Sequence, residues 1–139
     1  MLRCLKEFLI NKNSRVNLKI VKINKESPTN SAINVKYCDT FWSRFLGLMF
    51  SKNLKHDSGV ILVEKKESRV NTSIHMMFMN YDITVLWLDK HMVIVDKILA
   101  KKWAPIYISK KPAQYIIELH HSKLTEYMIG EKLELIDEN

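Results

Sequence analysis

The chain has 139 residues, of which 47% are hydrophobic and 27% charged, as expected for one globular domain with a single core. Two cysteines, Cys4 and Cys38, are too few for a disulfide framework, and no stretch approaches the roughly 18 apolar residues of a membrane span. The start of the chain does not match a secretion signal, because Lys6 and Glu7 interrupt its apolar run. We therefore expect a cytoplasmic protein without a transmembrane segment.

The first third of the chain combines two short helices with two strands. Residues 1–17 are predicted to be an N-terminal extension with a short helix, ahead of a single β-rich domain over 18–139. Strand patterns follow at 18–23 and 33–37, the second with strict alternation of apolar and polar residues. The run FWSRFLGLMF then predicts a helix that is apolar nearly all round, with Arg44 as its only charge.

The remainder of the chain is predicted to be mostly strands. The run GVILV at 59–63 indicates a short buried strand, and the polar stretch 64–71 a loop. Residues 83–88 are apolar on both faces, which favours a central strand. Further elements are a hairpin partner at 92–98, an irregular stretch at 101–112, strands at 113–119 and 132–136, and a short helix near 123–128.

These elements define the fold class. About seven strands and two or three short helices, without long helices between the strands, exclude a doubly wound parallel sheet. The sequence therefore predicts a mainly β (β-rich α+β) protein, a compact and mostly antiparallel β sandwich or barrel.

Five short motifs occur in a recognisable order: DTFWSRFLGLM, SIHMMFM, ITVLWLD, AQYIIEL and GEKLELID. In this order the chain resembles, over about residues 18–137, the family called Domain of Unknown Function 192. The resemblance implies a small β-rich domain of bacteria and archaea whose activity is unassigned. By position, it selects candidate ligand-binding or functional residues, namely Arg44, His75, Asp89 and Glu118, and family-like structural residues, namely Gly47, Leu48, Met79 and Gly130.

The chain departs from the family pattern at three places. Family members often turn with a glycine after the central strand, whereas residues 89–92 read Asp-Lys-His-Met, so a tight turn with positive φ is not expected there. The acidic group before that strand is Asp82, two positions from its usual place. After Glu118, the family's small residues are replaced by His120, His121 and Ser122.

Arg44 is the strongest candidate for an ion pair. A lone arginine in an apolar helix needs a partner, and Asp89 or Glu118 could supply the carboxylate. Such a pair would fix the helix on the sheet. The functional alternative is an arginine that meets an anionic ligand in a pocket beside His75 and Asp89.

His75 offers two chemical alternatives. It could act as the general base of a small hydrolase-type enzyme in which Arg44 holds an anion, but no nucleophile stands in a known motif. His75, Met77 and Met79 would share one face of a strand and could bind Cu(I), although about 7 Å separates same-face neighbours. Core packing explains the methionines equally well. No cofactor and no other metal is expected.

The densest basic cluster consists of Lys97, Lys101, Lys102, Lys110 and Lys111, with Trp103 and Tyr107 between them. It would be the nucleic-acid site of a basic binding protein. The sequence as a whole favours a binding or accessory module for a small anionic ligand or a protein partner. The enzyme and the nucleic-acid binder remain the alternatives.

Overall fold

The computed structural model describes residues 18–23, 32–38 and 53–137. This part of the chain contains one short 3₁₀ helix, His121–Thr125. It forms seven strands: β1 (Leu18–Lys22), β2 (Ile33–Cys38), β3 (Ser58–Ser68), β4 (Ile83–Leu88), β5 (Ile94–Ala100), β6 (Ala113–His120) and β7 (Leu133–Asp137). No helix within the described residues is long and apolar enough to cross a membrane.

All seven strands belong to one sheet, in the order β5-β4-β6-β3-β2-β1-β7. Every neighbouring pair is antiparallel except β2 and β3. At one end the two edges approach each other, since Val93 bridges to Lys132 and the amide of Ile94 donates to the carbonyl of Glu131. The ladder does not continue beyond this contact, so the mostly antiparallel prediction is confirmed but the sheet is not a closed barrel.

The sheet buries apolar side chains on both faces. We call the first group the seven-strand cluster, because every strand contributes; it comprises Ile20, Ile33, Val35, Ile61, Leu86, Leu88, Ile94, Ile117, Leu119, Tyr127 and Leu133. The second, the covered cluster, lies on the opposite face of β3, β4 and β6, under Ile74, Met76 and Met79 from the segment before β4. All six residues of β4 are buried, as its two apolar faces predicted.

Two predicted boundaries were wrong. The predicted loop at 64–71 continues β3 as far as Ser68, where the strand still pairs with Ala113. The predicted helix near 123–128 is the 3₁₀ helix, which starts earlier, at His121. The predicted helices over 1–13 and 41–50, with Arg44, Gly47 and Leu48, lie outside the described residues.

Two positions constrain the backbone between the strands. Met92 adopts φ 62°, so the turn after β4 does take a positive φ without a glycine, contrary to the expectation. Asp89 stabilises this turn, because its Oδ1 accepts from the amides of His91 and Val93. Gly130 has φ 94°, a conformation in which glycine lacks the steric cost of a side chain.

Candidate functional site: an apolar groove on the covered face

Two irregular segments, 73–79 and 101–108, lie side by side over the covered cluster. The amide of Ile74 donates to the carbonyl of Tyr107, and the amide of Tyr107 donates back to Ile74. The amide of Met76 donates to Ala104, and that of Trp103 to Met76. Because Ile74 and Met76 point into the core, the intervening His75 is left at the surface of this layer.

A pocket of about 430 Å³ opens on this layer, and we call it the outer groove. Its walls are mostly apolar, with polar atoms from only two side chains; the lining residues are Ser73, Ile74, His75, Met77, Phe78, Pro105 and Ile106. Ile106 is 54% exposed and Trp103, next to the groove in sequence, is 51% exposed. Large apolar side chains therefore face solvent together along these two segments, which is unusual for a monomeric surface.

The aromatic residues at the groove are held in strained backbone conformations. Phe78 has φ 63° and Trp103 has φ 64°, values that side-chain-bearing residues rarely adopt. Their rings meet edge to face with centroids 5.3 Å apart, a favourable arrangement for two aromatic rings. Local strain of this kind is retained where the surrounding structure imposes it, and it concentrates at functional sites.

Asp82 holds the turn that presents Trp103. Its Oδ1 accepts from the amide of Lys102 at 2.9 Å, and its Oδ2 lies 3.2 Å from Nζ of Lys101. The hydrogen bond from the Lys102 amide is the main reason that the pKa of Asp82 lies below its usual value, and Lys101 adds to it. The hydroxyl of Tyr107 accepts from the Lys101 amide, which anchors the turn a second time.

The sequence-predicted site residues occupy different places. His75 lines the outer groove, with its Nδ1 atom shielded from solvent. Glu118 is buried in β6 and pairs in register with Val60 and Val85, so it lies on the face of the covered cluster. Asp89 follows β4 four residues beyond Val85, roughly 13 Å along the strand, and caps the turn after it. Arg44 lies outside the described residues.

The copper alternative assumed a regular strand through His75, and this assumption was wrong. Residues 77 and 78 form a turn, and Met79 donates its amide to the carbonyl of Met76. Met79 is consequently buried in the covered cluster, whereas Met77 is exposed on the groove. His75, Met77 and Met79 do not share one strand face.

The basic cluster is divided between structural and exposed lysines. Nζ of Lys97 donates to the carbonyls of Leu124 and Tyr127, at 2.9 and 2.7 Å, and ties β5 to the 3₁₀ helix. Lys101 is paired with Asp82. Lys102, Lys110 and Lys111 are exposed, the first just before Trp103 and the others just after Ile108.

Sequence reasoning missed Phe78 and Asp82 as parts of a site and counted Trp103 only among the lysines. An exposed aromatic residue at positive φ leaves no local pattern in the sequence. Asp82 acts on a turn almost 20 residues away, a contact that only the pairing of β4 with β5 creates. The available signal was the position of Asp82 directly before the central strand.

The fold and the groove together define a small protein built on one β-sheet with an apolar binding surface. The family model of DUF192, described as "Uncharacterized ACR", matches residues 20–135, and the chain belongs to this family.

Archaeal relatives match at the sequence level. The UPF0127 protein TK1120 of Thermococcus kodakarensis is 52% identical over 84 residues, which are 60% of this chain and 52% of that protein. The UPF0127 protein PYRAB11210 of Pyrococcus abyssi is 33% identical over 118 residues, 84% of this chain and 97% of that protein. The match therefore spans only about half the length of some relatives.

Two solved structures share the fold. A Sinorhizobium meliloti protein, described as a proposed transcription regulator, has a TM-score of 0.73 at 18% identity and covers 88% of this chain and 96% of its own. A protein of unknown function from Novosphingobium aromaticivorans has a TM-score of 0.67 at 13% identity, covering 84% and 83%. At these identities the likeness concerns the fold alone.

Proposed function

We propose that the protein is a binding module that docks an acidic partner protein by taking apolar side chains of that partner into the outer groove. The observation that carries this proposal is the aromatic pair Phe78–Trp103, kept at positive φ and in solvent beside an apolar pocket. A core role would bury these rings. Exposed aromatic residues in a concave apolar site are the typical anchors of protein interfaces.

The charges around the groove support an acidic partner. Lys102 precedes Trp103 directly, and Lys110 and Lys111 follow the exposed Ile108, so basic side chains flank the apolar surface along the same segment. The chain as a whole carries a formal charge of +7. Complementary charge at the rim of an interface accelerates association and selects partners, while the apolar centre supplies most of the affinity.

The groove fits a protein segment better than a small anion. A small anion needs converging donors, and the polar side chains on the wall are only Ser73 and His75. The hydrolase-type alternative needs Arg44 close to His75, which stays a prediction. The nucleic-acid alternative is supported by the description of the Sinorhizobium meliloti protein, but here Lys97 is engaged with backbone carbonyls and does not extend the basic surface.

Two labelled peptides test the proposal. Both carry Phe and Leu, one flanked by glutamates and the other by lysines, and fluorescence anisotropy measures their binding to the whole chain. We expect the acidic peptide to bind more tightly. Trp103→Asn should weaken it about tenfold, since asparagine tolerates positive φ and the change removes the aromatic anchor without forcing the backbone to move.

Met128→Asn is the matched control, because Met128 is 58% exposed and lies in the turn before β7. It should leave binding unchanged. Equal binding of both peptides, or equal affinity of the Trp103→Asn and Met128→Asn variants, would overturn the proposal. A 20-base-pair duplex that binds where neither peptide does would establish the nucleic-acid alternative instead.

A further inference from the structure

Three histidines meet where β6 runs into the 3₁₀ helix. The ring centroids of His56 and His120 are 3.8 Å apart, and those of His120 and His121 are 4.2 Å apart. Adjacent His120 and His121 would point to opposite faces if both lay on a strand, but β6 ends at His120 and His121 begins the 3₁₀ helix. The change of backbone conformation between them brings the two rings together.

Ser122 connects this cluster through its hydroxyl and its amide. Oγ of Ser122 lies 2.8 Å from Nδ1 of His120 and 3.1 Å from Nδ1 of His56. The Ser122 amide also donates to Nδ1 of His120, which makes His120 the N-cap of the 3₁₀ helix. A ring nitrogen that accepts a hydrogen bond carries no proton, so the cap requires the neutral imidazole of His120.

We propose that His56, His120 and Ser122 form a proton-sensitive latch, which holds the 3₁₀ helix against the sheet while His120 is neutral and releases it when His120 is protonated. Protonation at Nδ1 abolishes the acceptor for the Ser122 amide. It also places a positive charge against two further imidazole rings. The cap and the stacking are lost in the same step.

The surroundings of His120 disfavour its protonated form. Burial is the main reason that the pKa of His120 lies below its ordinary value, followed by the charges of His121, His56 and Lys123. From the elements packed nearby, Glu126 is engaged by Lys123, and β5 contributes the ammonium of Lys97 to the carbonyls of Leu124 and Tyr127. Among the described residues, the nearest acidic neighbour of His56 in the chain is Asp57, whose Oδ1 accepts from Ser58.

The sign of the pH dependence follows from the lowered pKa. The folded state binds the proton on His120 less well than the unfolded chain, so the latch contributes its full stability above the ordinary histidine value of about 6.5. This contribution is lost as the pH falls through the lower folded-state pKa. The cluster is not presented as a metal site, since no group of three or more His, Cys, Asp or Glu side chains in the described ranges could hold an ion.

Release would affect a defined part of the molecule. The 3₁₀ helix is tied to β4 through the hydroxyl of Thr84, which donates to the carbonyl of His121, and to β5 through Lys97. Tyr127, just after the helix, is buried in the seven-strand cluster. Loss of the cap should therefore loosen residues 121–127 first and leave the centre of the sheet closed.

Amide hydrogen exchange of the whole chain at pH 7.5 and 5.0, corrected for intrinsic rates, tests the latch. We expect exchange at 122–127 to rise about fivefold at pH 5.0, the size of a lost N-cap, with β3 and β4 unchanged. His120→Asn keeps an acceptor at the cap but cannot titrate, so its exchange should be the same at both pH values. Ser122→Ala should exchange faster than the original chain already at pH 7.5.

His91→Gln serves as the control, because His91 is exposed at the turn after β4; it should retain the full pH response. Unchanged exchange between pH 7.5 and 5.0 in the original chain would overturn the proposal. So would a pH response in His120→Asn equal to that of the original chain, or slow exchange at pH 7.5 in Ser122→Ala.

Discussion

The two apolar clusters of this sheet are built by different means. The seven-strand cluster is made almost entirely by regular strands, whose alternating residues meet on one face. The covered cluster depends on the irregular segments 73–79 and 101–108, which lie over β3, β4 and β6. Regular alternation seals a core completely, whereas an irregular cover can leave apolar side chains in solvent, and here it leaves the outer groove.

The largest effect should come from the buried carboxylate of the covered cluster. Glu118 is 4% exposed, and the sequence predicts that it pairs with Arg44. If the two residues pair, Arg44→Met should lower the free energy of unfolding by about 3–5 kcal/mol, because it leaves a buried charge uncompensated. Urea denaturation of Arg44→Met, Glu118→Gln and the double variant measures the coupling. Strictly additive losses would show that the two residues do not interact.

A cavity in the seven-strand cluster should come next. Ile117 is fully buried in β6, and Ile117→Ala should lower the free energy of unfolding by about 2–5 kcal/mol. The folded fraction should still bind the acidic peptide, because the groove lies over the opposite face. Ile116→Ala removes an equally buried side chain from the covered cluster and should also weaken the peptide complex. Equal peptide binding by both variants would contradict the separation of the two clusters.

Two glycines separate crowding from backbone strain. A Cβ on Gly59 would lie 2.6 Å from Cδ2 of Leu119 and 2.8 Å from the carbonyl oxygen of Glu118, so Gly59→Ala should cost about 1–3 kcal/mol in overpacking. A Cβ on Gly130 meets nothing within 4 Å, and Gly130→Ala should cost about 1–2 kcal/mol through its positive φ alone. Thermal unfolding compares the two; Gly130→Asn should recover part of the loss, whereas Gly59→Asn should not.

A glycine at the groove should separate stability from binding. Trp103→Gly removes the strain at φ 64° and loses little buried surface, so the free energy of unfolding should stay within about 1 kcal/mol of its original value. Peptide binding should nevertheless fall as in Trp103→Asn. At Met92, which also has positive φ, the same change removes a side chain packed against the seven-strand cluster and should destabilise the protein. A marked loss of stability in Trp103→Gly would assign Trp103 to the core.

The smallest effect concerns Asp82. Because its pKa is lowered in the folded state, its contribution is present above the ordinary value of 3.8 and is lost as the pH falls through the folded-state pKa. Asp82→Asn keeps an acceptor for the Lys102 amide but loses the charge opposite Lys101, an exposed pair worth less than about 1 kcal/mol. The difference in stability between Asp82→Asn and the original chain should disappear between pH 7 and pH 3. A constant difference would assign the effect to packing.

The sequence predicted the strands best where apolar residues alternate or fill both faces. β2 and β4 were located within a residue of their bounds by these patterns. The second half of β3 was missed because Lys65, Lys66 and Glu67 are exposed there, and the pairing of the bulged strand with β6 maintains it without an apolar face. Composition alone could not separate that half from a loop.

The candidate site was predicted in part. The motif around His75 was singled out correctly as unusual, and His75 does line the groove. The predicted companion Asp89 instead caps the turn after β4. The aromatic pair could not be predicted, because Phe78 and Trp103 are 25 positions apart and meet only through the hydrogen bonds that join the two covering segments.

The pairing of β1 with β7 has a consequence for folding. Leu18 is in register with Asp137, and Lys22 with Leu133, so the ladder joins the most distant parts of the described chain. During synthesis, β1 can pair early with β2, but its second edge stays unpaired until β7 has been made. Contacts of such high sequence separation fold slowly, in milliseconds to seconds. In this interval the edge of β1 is the part of the nascent chain most exposed to pairing with another polypeptide.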